Sequence, residues 1–244
     1  RPEISQALLT NPGIGFIAAP ELMDAEPNAL RDSRGQIVAP YKFTPDSRTW
    51  NHPDSGVLFC SCRWKDIEPL QGTYDWRCLE EKLDAAAALG CTCIVRISPY
   101  ALSAQEDIPA WLRMRYPEEP EFPFWRIDPN TTEYPRLWAA LIRNFAARYD
   151  GDPRITSVDM AIVGAWGEGG GTENMEENAM KTVIAAYMEG FPHTPLTALL
   201  HDPKSLACIR AFPKQVGFRV DCLGDMGGFH GDRWSHMLDF YPEN

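Results

Sequence analysis

The chain has 244 residues, a formal net charge of −11 and an apolar fraction of 44%, enough for a sizeable core in one large domain or two small ones. The acidic balance argues against nucleic acid or an anionic membrane surface as partner, since both call for a basic footprint. No apolar run approaches the roughly 20 residues that span a bilayer, and the chain opens on Arg1 instead of Met, as expected of a processed or partial sequence.

In chain order, residues 11–17 (NPGIGFI) read as a turn feeding a short first strand. Residues 18–56 form a long polar segment rich in Pro, Asp and Asn. Loops beyond about 12–15 residues are commonly functional or disordered. Tyr41, Phe43, Trp50 and His52 fit a lid or binding loop, and the composition fits a disordered insertion equally well. Residues 57–64 (VLFCSCRW) are a second strand, followed by a turn-rich link and a helix with Asp75 as N-cap. Leu79, Leu83, Ala86 and Leu89 form the helix's apolar stripe and Gly90 suits its end. Residues 92–98 (TCIVRIS) are a third strand, linked through IPAWL and PEFPFWRIDP to a helix over about 135–148.

Residues 155–171 (ITSVDMAIVGAWGEGGG) start as a buried fourth strand, apolar through Val163, and end in small residues around Trp166 and Glu168. A helix over about 173–189 follows, burying Met180, Val183, Ile184, Tyr187 and Met188. A fifth strand, 196–200, ends in His201 and Asp202, with Asp202 as N-cap of a short helix opening on Pro203. A sixth strand, 216–222, ends near Asp221 and Asp225, and 232–241 reads as a last helical segment.

Strand and helix thus alternate six times with no composition break, which predicts one α/β domain over 1–244 with a parallel sheet flanked by helices. A nucleotide-binding open sheet would show G-x-G-x-x-G or a P-loop after an early strand, and neither is present. The expectation is a (β/α)8 barrel of which six units are visible. The two units needed for closure are expected beyond Asn244. Open edges invite self-association or a completing segment, so the chain alone is expected to be inactive and oligomeric or poorly soluble.

Seven cysteines include Cys60 and Cys62 on one strand and Cys91 and Cys93 beside the next. Spacing by one residue along a strand suits neither a zinc site nor a disulfide, and free Cys packs as a small hydrophobe. No metal and no cofactor is expected, and the cysteines leave the compartment undecided, a secreted or periplasmic setting included.

Candidate site residues lie where strands end, the edge that carries chemistry in parallel α/β folds. Glu168 closes the fourth strand before a Gly-rich turn, as a catalytic carboxylate or a solvated one. Arg63 and Arg96 either bind substrate and orient carboxylates or form buried ion pairs. Trp64, Trp166, His201, Asp221 and Trp50 complete the set of substrate-contact candidates, while Glu68, before a Pro in a turn, reads as structural.

WKDIEPLQGTYDW (64–76), the Arg96 strand and Pro-x-Trp-Leu (109–112) resemble the β-galactosidase-like branch of the clan A glycoside hydrolases. NPGIGF, RYDGDP (148–153) and GAWGE (164–168) are similar to a less characterised set of glycosidase-like barrels. The resemblance covers most of 11–170. It implies a carbohydrate substrate and an acid/base Glu at the fourth strand, the place of Glu168, with a nucleophile on the seventh. Asn ordinarily precedes that Glu to bind the sugar 2-hydroxyl, and here Gly167 stands there. The reading is retaining hydrolysis of a β-linked glycoside, with Trp50 as a sugar-stacking surface and Trp166 as an apolar wall beside Glu168 or, equally, a core or sugar-stacking residue. The alternative is a carbohydrate-binding barrel that has lost catalysis.

Overall fold

The computed structural model describes residues 17–18, 29–31, 37–40, 56–88, 90–99, 108–115, 128–164, 167–200 and 202–219. Six strands form one sheet: β1 (Ile17–Ala18), β4 (Val57–Arg63), β5 (Thr92–Ser98), β6 (Ile155–Asp159), β7 (Leu196–Leu199) and β8 (Gly217–Arg219). They lie in the order β1-β4-β5-β6-β7-β8, every adjacent pair parallel. The order never reverses. A doubly wound sheet turns back at a switch point, whereas a barrel adds each strand on the same side of the last. The described strands therefore follow a (β/α)8 course over part of its circumference, as the sequence pattern predicts.

Within the long segment 18–56 the sequence reading places no regular structure. The structure corrects this: β2 (Ala29–Arg31) and β3 (Ile37–Pro40) pair antiparallel as a separate two-stranded sheet. The β-branched pair Ile37 and Val38 suits a strand.

Alternation along the strands sorts side chains onto two faces. Leu58, Cys60 and Cys62 of β4, Cys93, Val95 and Ile97 of β5 and Val158 of β6 are buried in the layer beneath the helices. There the Cys60 and Cys93 Sγ atoms stand 2.6 Å apart, and burial pushes the Cys60 thiol up. The opposite face carries Phe59, Ser61 and Arg63, then Ile94, Arg96 and Ser98, then Ser157 and Asp159, in register across the three strands.

The helical layer comprises α1 (Trp64–Ile67), α2 (Arg77–Ala88), α3 (Ala110–Arg113), α4 (Glu133–Tyr149), α5 (Glu177–Gly190) and α6 (Pro203–Ile209). Leu79, Leu83 and Ala86 bury the stripe of α2 as predicted, and Asp75 accepts the Arg77 amide at 3.1 Å. Helix α4 buries Leu137, Trp138, Leu141, Ile142 and Phe145 and packs along α5, whose buried face includes Met180, Val183, Ile184 and Tyr187. At their crossing Gly190 lets the helices close in, since a Cβ there would meet Ala146 Cβ at 2.7 Å. The predicted helix start near 173 is instead a 3₁₀ turn, Thr172–Asn174, and α5 begins at Glu177. No described helix is long and apolar enough to cross a membrane.

At the sheet edge opposite the candidate site, Asp150 clamps two loops. Its carboxylate accepts from the Thr194 amide at 2.8 Å and the His193 amide at 3.1 Å, and meets His193 Nδ1 at 2.6 Å. Burial works against the charged form, but these donors outweigh it and hold Asp150 below its ordinary value of 3.8. The stability this adds is complete above 3.8 and is lost as the pH falls through the lower folded value. Asp150→Ala should cost about 2 kcal/mol near neutral pH. In urea titrations the gap from wild type should shrink on acidification to about pH 2.5. A gap that persists at acid pH would show that the loss comes from packing instead.

Candidate active site

The site is built by the stretch that follows β6. The apolar run through Val163 predicts a strand of that length, yet the ladder stops at Asp159, with one further bond from the Met160 amide to Thr197 O at 2.9 Å. Past that point the chain peels away from the sheet while still buried, so its backbone groups need other partners. Three aromatic side chains supply them. Trp138 Nε1 donates to Ala161 O at 2.8 Å, Tyr134 Oη to Ile162 O at 2.7 Å and Tyr187 Oη to Ala161 O at 3.1 Å. The first two belong to α4 and the third to α5. The helices thus hold in place the segment that leads to the catalytic candidate.

The chain then folds on itself as a compact loop. The Gly167 amide reaches Gly164 O, the Gly169 amide Val163 O and the Thr172 amide Gly169 O, each at 3.0–3.1 Å. Gly164, at φ 101°, has room for no side chain, because a Cβ would lie 2.5 Å from the Gly170 amide nitrogen. Glu168 stands on this loop with its side chain 46% exposed and its Oε1 3.7 Å from Arg96 Nη1. It lies at the C-terminal edge of the sheet, but on the loop beyond β6 instead of directly at the strand end.

Arg96 is buried on the face opposite the helices. Its Nε and Nη2 donate to Asp159 Oδ2 at 2.8 and 2.5 Å, and its guanidinium lies 4.8 Å from the Phe59 ring centre. Asp159, only 1% exposed, also accepts from Arg219 Nε of β8, at 3.1 Å on Oδ1 and 2.9 Å on Oδ2. Arg219 Nη2 reaches Gly167 O at 3.3 Å. The buried ion pair weighed for Arg96 is therefore present, and the same guanidinium also neighbours Glu168. Arg63, the last residue of β4, is half-buried and pairs through Nε with Asp66 at 2.8 Å.

Trp64 does not belong to the site. It is 1% exposed, donates to Glu68 Oε2 at 2.6 Å and packs on Trp138 at 5.0 Å between ring centres. Trp64 continues the alternation of Leu58, Cys60 and Cys62, which places it under the helices. Glu68 takes the structural role expected of it, accepting also from the Gly72 amide at 2.7 Å, and burial raises its pKa. Asp202 caps α6 by accepting the Ser205 amide. With Gly167, Gly169 and Leu199 it borders a small cleft. Trp50, Trp166, His201, Asp221 and Asp225 lie outside the described residues.

Asp159 and Arg219 are the functional candidates that sequence reasoning missed. Asp159 is the one charge inside the run ITSVDMAIV. A charge in a buried strand needs a buried partner, and that signal was available.

Residues 55–160 match the family model described as Beta-galactosidase. The matched span contains WKDIEPLQGTYDW, the Arg96 strand and Asp159, and it ends before Glu168. No curated protein sequence matches the chain. Among solved structures, endo-glycoceramidase II from Rhodococcus sp. is 18% identical, with 76% of this chain and 47% of that one covered and a TM-score of 0.49. Exo-beta-1,4-mannosidase Op5Man5 from Opitutaceae bacterium strain TAV5 is 15% identical, with 72% and 35% covered and a TM-score of 0.43. The chain thus spans about half the length of the first of these. Likeness at this level bears on neither substrate nor mechanism.

Gly167 explains the departure from the Asn-Glu pattern. At φ 75°, a Cβ there would stand 2.6 Å from Ala161 Cβ and 3.1 Å from Arg96 Cδ. The Arg96 stem and Ala161 occupy the space an Asn side chain would need. Asn tolerates a positive φ, so the collision and not the backbone should dominate in Gly167→Asn. The substitution should cost about 1–3 kcal/mol in urea unfolding, and adding Ala161→Gly should recover part of it. A Gly167→Asn protein as stable as the parent would show that Ala161 and Arg96 give way freely.

Proposed function

We propose that the protein is a glycoside hydrolase that cleaves a β-linked glycoside with retention, Glu168 serving as general acid and base. The observation that carries this reading is the position of Glu168. It stands on the loop after the fourth strand of the parallel sheet, at the C-terminal edge, with the Arg96 guanidinium 3.7 Å away. The family match over 55–160 supports the reaction class.

Breaking a glycosidic bond needs a proton for the leaving oxygen and a second carboxylate across the sugar, about 5–5.5 Å from the first in retaining enzymes. Glu168, exposed on one side and flanked by Arg96 on the other, protonates that oxygen as the bond to the anomeric carbon breaks. The second carboxylate forms the glycosyl-enzyme bond. Glu168, now ionised, takes a proton from the water that releases the sugar. Asp159 cannot be the second carboxylate, because both of its oxygens are taken by guanidinium groups. Arg96 holds a donor next to Glu168 that takes over the sugar 2-hydroxyl contact the resemblance assigns to an Asn amide, and Arg63 offers a further contact to substrate hydroxyls at the end of β4.

In the active protein, Glu168→Gln should slow hydrolysis of substrates with poor leaving groups by roughly 10²–10⁴-fold, the range for loss of a general acid–base group. Aryl glycosides with good leaving groups should be affected less in the glycosylation step, since they need little protonation. Hydrolysis of poor-leaving-group substrates by the mutant at the wild-type rate would sink the assignment.

A further inference from the structure

We propose that Asp159 is a positioning residue for Glu168, acting through two arginines; this rests on the reading of Glu168 as acid and base. The carboxylate sits at the last residue of β6, 1% exposed, and cannot move without unpairing two buried or half-buried cations. Arg96 arrives from β5, the neighbouring strand, and Arg219 from β8, two strands away in the opposite direction. Such a reach across β7 is possible because the face opposite the helices is concave. In a barrel interior, alternate strands contribute to one layer of side chains.

Each arginine passes the constraint on to the loop. Arg219 Nη2 donates to Gly167 O, the carbonyl directly before Glu168. The Arg96 stem lies where a Gly167 side chain would be, and its Nη1 faces Glu168 Oε1. One buried anion thereby fixes the backbone on one side of Glu168 and the cation on the other. Buried ion pairs are weak contributors to stability, since desolvation offsets their attraction, and their best-attested use is to specify one arrangement over others. Here the arrangement specified is that of the 167–169 turn. Asp159 touches no substrate in this scheme.

The test compares Asp159→Asn, Arg219→Gln and Glu168→Gln in the active protein, by amide hydrogen exchange and by hydrolysis of methyl β-D-galactoside, a substrate with a poor leaving group. Asn keeps the shape of Asp159 and removes its charge. If that variant fails to fold, Arg219→Gln, which leaves the Arg96–Asp159 pair intact, carries the test. Exchange at the Gly167 and Gly169 amides should speed up at least about tenfold while amides inside α4 and α5 keep their protection, as local opening requires. The kcat for the galactoside should fall about 10–10²-fold with KM nearly unchanged, and Asp159→Asn/Glu168→Gln should be no slower than Glu168→Gln alone, the pattern of residues that act as a unit. Unchanged protection of the loop in either variant would overturn the proposal, as would rate losses that add in full. Wild-type-like hydrolysis by Glu168→Gln would count against the catalytic reading. Loop exchange then decides the positioning claim by itself.

Discussion

The arrangement depends on where the backbone of residues 160–164 finds hydrogen bonds. The segment is buried, yet it has left the sheet, and an unpaired buried carbonyl costs about 1–3 kcal/mol. Trp138, Tyr134 and Tyr187 answer that need from the helical layer. Each aromatic ring is buried in the core and spends its single polar tip on the departing chain. Core packing and placement of the site are therefore one construction. The rings that fill the space between α4, α5 and the sheet also decide where the Gly-rich loop begins.

A second layer of control lies on the opposite face of the sheet. There the aliphatic pattern gives way to Arg96, Asp159 and Arg219, which tie β5, β6 and β8 together near their C-terminal ends. The helix-facing thiols Cys60, Cys62 and Cys93 do the ordinary work of small apolar residues on the other side of the same strands. Period-two alternation keeps these two populations apart, polar ties toward the concave face and hydrophobes toward the helices.

Most of the architecture was legible because it rests on local signals. The stripes of α2, α4 and α5, and the strands holding Val57, Val95 and Leu196, were readable from periodicity. Glu168 was readable as a carboxylate beyond a strand's trailing edge. What escaped was whatever depends on partners distant in sequence. Val163 reads as strand because it is apolar and β-branched, but the chain leaves the sheet after Asp159 although β7 continues to Leu199, and side chains from two helices take over. Trp64 reads as an aromatic at a strand end, yet it shares the face of Leu58, Cys60 and Cys62 and is buried with them. Arg96 and Asp159 were each visible as a charge in a strand, whereas their pairing, and that of Asp159 with Arg219 on β8, joins residues 60 or more positions apart. The antiparallel pair β2–β3 was hidden by the polar composition around it.

Gly167 has a consequence for how such proteins are recognised. A search pattern that requires Asn immediately before the glutamate asks for an amide side chain at position 167. Here sterics forbid it: Ala161 and the Arg96 stem fill that volume. A chain of this design passes such a filter unseen, however well its barrel is preserved. The discriminating signature is spread over four segments, an Arg on the third parallel strand, an Asp closing the fourth, a Gly-Glu turn and an Arg closing the sixth.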